Sequence, residues 1–332
     1  MTARSRAGLL GFVAVVLMVL AAPVLAPNPP WRQHADLAYA PPMVPRILGP
    51  DGMRRPFIYP LVVADRLQRR FEPDTSRPIA IDFFSDGRLA STPATSPWLV
   101  LGADPLGRDV FSRLLYGGRL SLGVAAVAVL LTLLIGTLAG AVSGFRGGRV
   151  DRLISAVADF AVVLPLIYVV VALRAALPPV LPPAAIFWTM AVVMALASWP
   201  LPARGVRAIV ASERRSEYAE AAYSVGAGPL RILLRHLLPA AAGHLAIQGL
   251  LLFPAFIFAE ATLSYVGLGF AEPVPSWGLM LQDAARVSAM TEAPWLLAPA
   301  AAIVLTIMGV HLLRVGNDRR LDGERRPRPV TF

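Results

Sequence analysis

The chain has 332 residues, of which 56% are hydrophobic and only 16% charged, and all 31 of its basic residues are arginine, for a net charge of +10. The charges gather in clusters and leave long uncharged windows, which excludes an ordinary soluble domain. The lack of cysteine excludes a disulfide framework or thiolate site, and the lack of lysine excludes a P-loop, whose lysine must reach the nucleotide phosphates.

No residue between Arg6 and Arg32 is charged, and Gly8 to Pro27 is long enough to cross a hydrocarbon core of ~30 Å. Residues 1–27 therefore read as a retained first span; the run is long for a cleaved signal peptide. Residues 28–104 form a polar, proline-rich insert with mixed charge, too broken to span. Pro78–Phe84 and Trp98–Leu101 have strand character and Asp86-Gly87 reads as a turn, so a small loop-rich extracytoplasmic lobe is expected, with a partly disordered loop as the alternative. Over 105–120, Asp104 reads as a cap and Pro105 as a helix start. Val110, Phe111, Leu114 and Leu115 share one face opposite Arg108, Asp109, Ser112 and Arg113, the pattern of an interfacial amphipathic helix.

Residues 121–313 read as a five-helix core. Leu120 to Phe145 is uncharged and forms the second span, and Arg146 to Arg152 a short turn. The third span, Leu153 to Leu173, is interrupted by Asp159 and Pro165. An acid at a span's centre costs about 2.5–3.5 kcal/mol, so Asp159 either faces protein or water in a pathway or reaches the interface. Pro178-Pro179 and Pro182-Pro183 mark an external turn before the fourth span, Ala184 to Trp199, and the loop 204–239 follows. On the fifth span, Ala240 to Ala259, Pro254 predicts a kink, and His244 and Gln248 lie one turn apart as interhelical hydrogen-bond partners or pathway lining. In the external stretch Glu260 to Glu292, Gly267-x-Gly269 is a weak phosphate signal, better read as a turn ahead of Trp277 anchoring a short helix at the membrane surface. Ala293 to Leu313 is the sixth span and 314–332 an arginine-rich tail. Four scattered histidines without thiols predict no metal site.

The loop between the fourth and fifth spans is the most specific stretch. Within Glu213–Pro239, Tyr218, Ala222 and Val225 recur at helical spacing, Gly226 and Gly228 end that helix, and Pro229 starts a second one. Leu230, Leu233, Leu234, Leu237 and Leu238 give the second helix an apolar stripe, and Pro239 is expected to stop it. A rigid exposed helix pair between spans suits docking. Binding of DNA by this pair fails on context, because no soluble domain carries it.

Glu220-Ala221-Ala222, followed by Gly226 and closing at Leu238-Pro239, resembles the EAA loop of bacterial ABC-importer permeases, with His236 standing where that family has isoleucine. Leu101-Gly102, Gly107-Arg108-Asp109-Val110, Ser112-Arg113 and Gly117 to Leu122 resemble the dipeptide/oligopeptide/nickel branch. So do Leu263 to Phe270 and Pro275-Ser276-Trp277-Gly278. The resemblance covers about residues 100 to 314. It implies an all-α polytopic membrane protein of six transmembrane helices with a periplasmic insert between the first and second, C-subunit-like in type. It also implies a non-catalytic subunit whose partners are a homologous second permease, ABC ATPase subunits that bind ATP and Mg, and a periplasmic solute-binding protein. Glu220, Ala221, Ala222, Gly226 and Pro239 then become the ATPase-coupling residues. Peptides are the expected substrate, with nickel or oligosaccharides as alternatives inside the family. Outside it stand a proton-coupled secondary transporter using Asp159 and His244, and a plain membrane anchor for the insert.

Charge orients the chain independently of the resemblance. Six crossings put the N-terminus, 146–152, 204–239 and 314–332 on one side, with two, three, six and six arginines respectively. The short loops opposite hold Arg286, with Arg174 at a boundary, and the long insert escapes the rule. Both termini and the Glu220 loop are therefore expected in the cytoplasm of an inner-membrane protein, in contact with lipid and not with nucleic acid.

Overall fold

The computed structural model describes residues 3–49, 52–65, 68–165, 168–172, 178, 181–285 and 292–324. The chain divides into two compact units, residues 1–123 with 261–332, and residues 124–260.

In the first unit, helix α1 (Ala3–Leu20) packs along the last helix of the chain, Ala298–Glu324. Glycines set that seam: a Cβ on Gly8 would lie 2.5 Å from Leu312 Cβ, and one on Gly309 would lie 3.1 Å from Phe12 Cβ. Small residues of this kind let helix backbones approach where burial from water gives no driving force. The insert is a β lobe, so the all-helical expectation holds for the membrane part alone. Strands β1 (Arg46–Gly49), β2 (Gly52–Ile58) and β5 (Ile79–Ala80) form one antiparallel sheet. β3 (Leu61–Asp65) pairs with β4 (Arg70–Pro73), and β6 (Asp82–Phe83) with β7 (Ala90–Ser91). Ala40, Met43, Ile58, Ile81, Leu99 and Ala103 give the lobe its own apolar core. The turn at Asp86-Gly87 is present, both residues having positive φ, but Trp98–Leu101 forms no strand.

Helix α2 (Val110–Arg146) starts at Val110 and runs unbroken, so residues 105–120 are not a separate interfacial helix. Asp104 closes a turn instead: its Oδ1 accepts from the Leu106 and Arg108 N–H groups at 2.8 and 2.9 Å, with Gly107 at φ +71°. Asp109 is the residue that satisfies the helix start, accepting from the N–H groups of Phe111 and Ser112.

The second unit contains α3 (Gly148–Val163), α4 (Pro183–Ser198), α5 (Pro200–Glu213), α6 (Glu217–Ser224) and most of α7 (Pro229–Tyr265). α4 and α5 meet at a 46° bend. Gly136, Gly140 and Gly144, one turn apart on α2, bring its backbone against α5; a Cβ on Gly140 would sit 2.4 Å from the Ala203 carbonyl oxygen. Pro239 does not end the helix that begins at Pro229. A π turn over Leu233–Leu237 and a 3₁₀ turn over Leu238–Ala241 carry the chain past it into Ala242–Tyr265. Proline lacks the N–H and crowds the preceding turn, and loosening then retightening the winding accommodates both.

Among the described residues, three helices are long and apolar enough to cross a membrane: Val110–Arg146, Pro229–Tyr265 and Pro294–Leu313. The bent pair α4–α5 makes a fourth if taken as one span, and the apolar part of α1, Arg6–Leu20, is shorter. The chain is thus a polytopic helical membrane protein. Helix α8 (Trp277–Ala284) lies between α7 and the last helix, α9 (Ala298–Glu324), which continues well past Leu313. Residues 325–332 of the tail, with Leu173, Arg174, Pro179 and Arg286, fall outside the described residues.

Candidate functional site

The loop Glu213–Pro239 folds as an elbow. α6 follows Ser216, whose hydroxyl donates to the Glu213 carbonyl at 2.6 Å, and Glu217 and Glu220 sit in its first turn, where the helix dipole favours acids. The Tyr218 hydroxyl donates to Glu213 Oε2 at 2.6 Å, and that acceptor raises its pKa above the ordinary tyrosine value. The end of α6 depends on one glycine. The Gly226 N–H donates to Tyr223 O at 2.9 Å and the Ala227 N–H reaches back to Ala222 O at 3.0 Å, with Gly226 at φ +83°. This paired closure needs a left-handed residue at that position, which only glycine adopts at no cost.

One side of the elbow is fixed to the second unit. Ala219 is fully buried and Ala222 half-buried against Val206 and Val210 of α5, Ile232, Leu237 and Ala241 of α7, and Ala141 of α2. Small side chains at 219 and 222 allow α6 to lie close on this base. The other side is bare: Glu220, Ala221, Gly226 and Pro239 are exposed, and Val225 and Leu230 are 87% and 68% exposed. Both are apolar side chains left open on the stretch that runs from the end of α5 into the long apolar helix α7. His236, at the departure from the isoleucine pattern, sets its ring 6.4 Å from Tyr218 and so ties the π turn to α6.

Beneath the elbow run polar ties. Arg207 of α5 holds Asp151 with Nη2 at 2.6 Å from Oδ2, and Arg204 holds Asp159 at 2.7 Å. A cavity of about 320 Å³ is lined by Ser143, Ser155, Asp159, Arg204 and Arg207, among others. His244 packs on α5 where Gly205 leaves room, since a Cβ there would lie 2.0 Å from Nε2. That nitrogen is buried without a hydrogen-bond partner among the described residues, and Gln248 lies half-buried one turn further on.

The first unit holds a charged knot that an amphipathic reading of 105–120 misses. Arg108 and Arg113 are 1% and 0% exposed, and Asp109 and Ser112 are equally buried. Arg108 Nε donates to Asp104 Oδ2 at 2.6 Å and its Nη2 to Glu272 Oε1 at 2.9 Å. Arg113 Nη2 reaches the same Glu272 oxygen at 3.2 Å, and Asp283 lies 3.9 Å from Arg108. Trp277 belongs to the same packing. It is buried, with Nε1 donating to Leu114 O at 2.9 Å and its ring against Gly118, where a Cβ would come within 2.8 Å. The two stretches 101–122 and 263–280 thus form one assembly. The signal was charges of alternating sign in 104–113 followed by Gly117-Gly118. Among the described residues no group of His, Cys, Asp and Glu could hold a metal ion.

Residues 136–323 match the family described as the binding-protein-dependent transport system inner membrane component. The chain is 37% identical over 231 residues to the oligopeptide transport system permease protein OppC of Bacillus subtilis, covering 69% of this chain and 72% of that protein. It is 35% identical over 244 residues to the glutathione transport system permease protein GsiD of Pectobacterium atrosepticum, covering 73% of this chain and 78% of that protein. A solved structure of the MetNI methionine ABC transporter aligns with a TM-score of 0.49 at 19% identity, over 65% of this chain and 98% of that one. The matched region takes in the elbow, its base and the whole of the last apolar helix, and more than half of the sequence lies within it. This chain belongs to the family of inner-membrane components of binding-protein-dependent transport systems.

Proposed function

We propose that this permease subunit forms half of the pathway of a peptide importer and takes its power from a separate ATPase docked on the Glu213–Pro239 elbow. The observation that carries the reading is the elbow itself: closed by Gly226, seated on α2, α5 and α7, and exposing Val225 and Leu230. A rigid piece with one bare apolar side transmits a push, whereas a floppy loop would absorb it. Glu220, on the exposed side, supplies a charge contact to the ATPase, while Ala221 and Ala222 keep α6 slim enough to enter a groove. The peptide assignment rests on the names of the relatives. The partners are a second, homologous permease, ATPase subunits holding ATP and Mg, and a periplasmic solute-binding protein. Both termini and the elbow lie in the cytoplasm on this reading, which the arginine excess of 146–152, 204–239 and 314–332 supports. Asp159, His244 and Gln248 lie near the cavity or on α7 as pathway or interhelical groups. The pairing of Asp159 with Arg204 weighs against its service as a free proton carrier.

Gly226→Leu tests the reading. Its φ of +83° costs a branched side chain about 1–2 kcal/mol locally, too little to unfold the spans. The variant is expected to insert into membranes normally while ATP-driven transport and stimulated ATP hydrolysis fall by about tenfold. Transport at the level of the parent protein would overturn the docking role.

A further inference from the structure

The end of α5 that feeds the elbow is fastened to two other helices through one carboxylate. Asp151, in the first turn of α3, accepts from two nitrogens of Arg207, with Nη2 at 2.6 Å from Oδ2 and Nε in close contact with Oδ1. The same Oδ1 accepts from the hydroxyl of Ser143, a fully buried side chain of α2. Arg214, just past the end of α5, donates to the Phe145 carbonyl of α2 and lies 5.3 Å from that ring. Three helices therefore meet at Asp151, next to the residues on which α6 sits.

Packing and polar ties transmit motion differently. The seam of Gly136, Gly140 and Gly144 against α5 is close packing against Pro202, Val206, Val210 and the α5 backbone, with no directional bond between charged groups. A two-pronged arginine–carboxylate contact fixes direction as well as distance. Asp151 is 19% exposed against 69% for Asp159, while their arginines are similarly open at 46% and 52%, so the difference in screening lies on the carboxylate side.

We propose that Asp151, acting through Arg207 and Ser143, is the joint that carries displacement of the elbow into α2 and α3. It is a positioning residue and touches no substrate. The assignment rests on the reading of the elbow as the ATPase contact. Without the joint, the elbow still binds the ATPase, but its movement is lost by slippage of α5 along the glycine seam.

The test uses the permease–ATPase assembly in proteoliposomes, measuring ATP hydrolysed and substrate moved in the same sample. Asp151→Asn and Arg207→Gln are expected to co-purify with the ATPase as the parent does and to hydrolyse ATP at a similar rate. Substrate moved per ATP should fall about tenfold. The reversed pair Asp151→Arg with Arg207→Asp should recover most of that ratio, since Ser143 can accept from an arginine as well as donate to an aspartate. An unchanged ratio in assembled complexes of the single variants overturns the joint. Should the single variants fail to assemble, Ser143→Ala decides: it leaves the ion pair intact, and a ratio equal to the parent's overturns the proposal. Failure of the unaltered chain to capture an ATPase is a separate result, which removes the docking reading and the joint with it.

Discussion

Arg108 and Arg113 lie against Asp104, Glu272 and Asp283, and burial tunes Glu272, Asp283 and the neighbouring Asp109. Burial pushes Asp109 up to about 6, against hydrogen bonds from Ser112 and Asn28 that favour its ionised form. Burial also raises Asp283 to about 6, helped by the neighbouring charge of Asp104 and opposed by the two arginines. A carboxyl whose folded pKa lies above its unfolded value binds its proton more readily when folded. Stability therefore rises as pH falls from 7 toward 5, and that gain is lost as pH rises through about 6. Glu272 shifts the opposite way, lowered by its arginine partners once burial is overcome, so its contribution is lost only below the ordinary glutamate range. Melting in detergent at pH 7 and pH 5 should show the higher midpoint at pH 5, and Asp109→Asn with Asp283→Asn should flatten the difference. A higher midpoint at pH 7 in the parent chain would contradict the assignment. The knot was hidden in the sequence because an alternating set of charges opposite an apolar stripe looks the same whether water or other side chains lie against it. Gly226 was legible for the opposite reason: a glycine at the end of a helical period has a purely local cause.

Helix α2 shows what an uncharged run conceals. Read as a span, 120–145 has only length and apolarity, yet its glycines at 136, 140 and 144 decide which neighbour it meets. A Cβ on Gly140 would press on a carbonyl of α5 and on Val206 Cβ at 2.9 Å, and backbone cannot step aside. Gly140→Leu is expected to cost about 1–3 kcal/mol from overpacking. The readout is the yield and melting temperature of purified protein, with Gly147→Leu as a contrast for glycine loss in open space, strained there only by its φ of +64°. Equal behaviour of the two variants would show that the seam is not tight. Elements whose signal is a helical period came through in the sequence, including α6, whereas the leucines read as one stripe of α7 divide between the bare side (Leu230, Leu234) and the base (Leu233, Leu237, Leu238). The joins did not. Pro239 reads locally as a stop, while the π turn ahead of it is selected by the packing of Leu237 and Ile232 on α5.

For the whole molecule, the membrane class follows from composition, while the number of crossings does not follow from helix length alone. Among the described residues three helices, or four with the bent pair, pass on length and apolarity, and the expected six require α1 and α3 to cross as shorter segments. The lack of any cysteine makes sidedness simple to measure. A single cysteine replacing Phe84, 82% exposed on the β lobe, should react with a membrane-impermeant maleimide added to whole cells. One replacing Val225 should react only after the cells are opened. The reverse pattern would invert the topology and move the elbow away from any cytosolic ATPase. The strands of the insert were only half legible because prolines and arginines mask their short alternations, and the lobe's core is drawn from segments as distant as Ala40 and Leu99.

The charged knot has a consequence for how the chain is made. Arg108 and Arg113 leave the ribosome more than 150 residues before Glu272, and α1 waits longer still for α9. Until then Asp104 is the one of their folded-state carboxylate partners already made, and the newborn segment must keep its guanidinium groups in water or in the care of the insertion machinery. Completion of the first unit therefore waits until the whole of the second has been made, and a chain stalled before Glu272 would present quality-control proteases with a half-built fold.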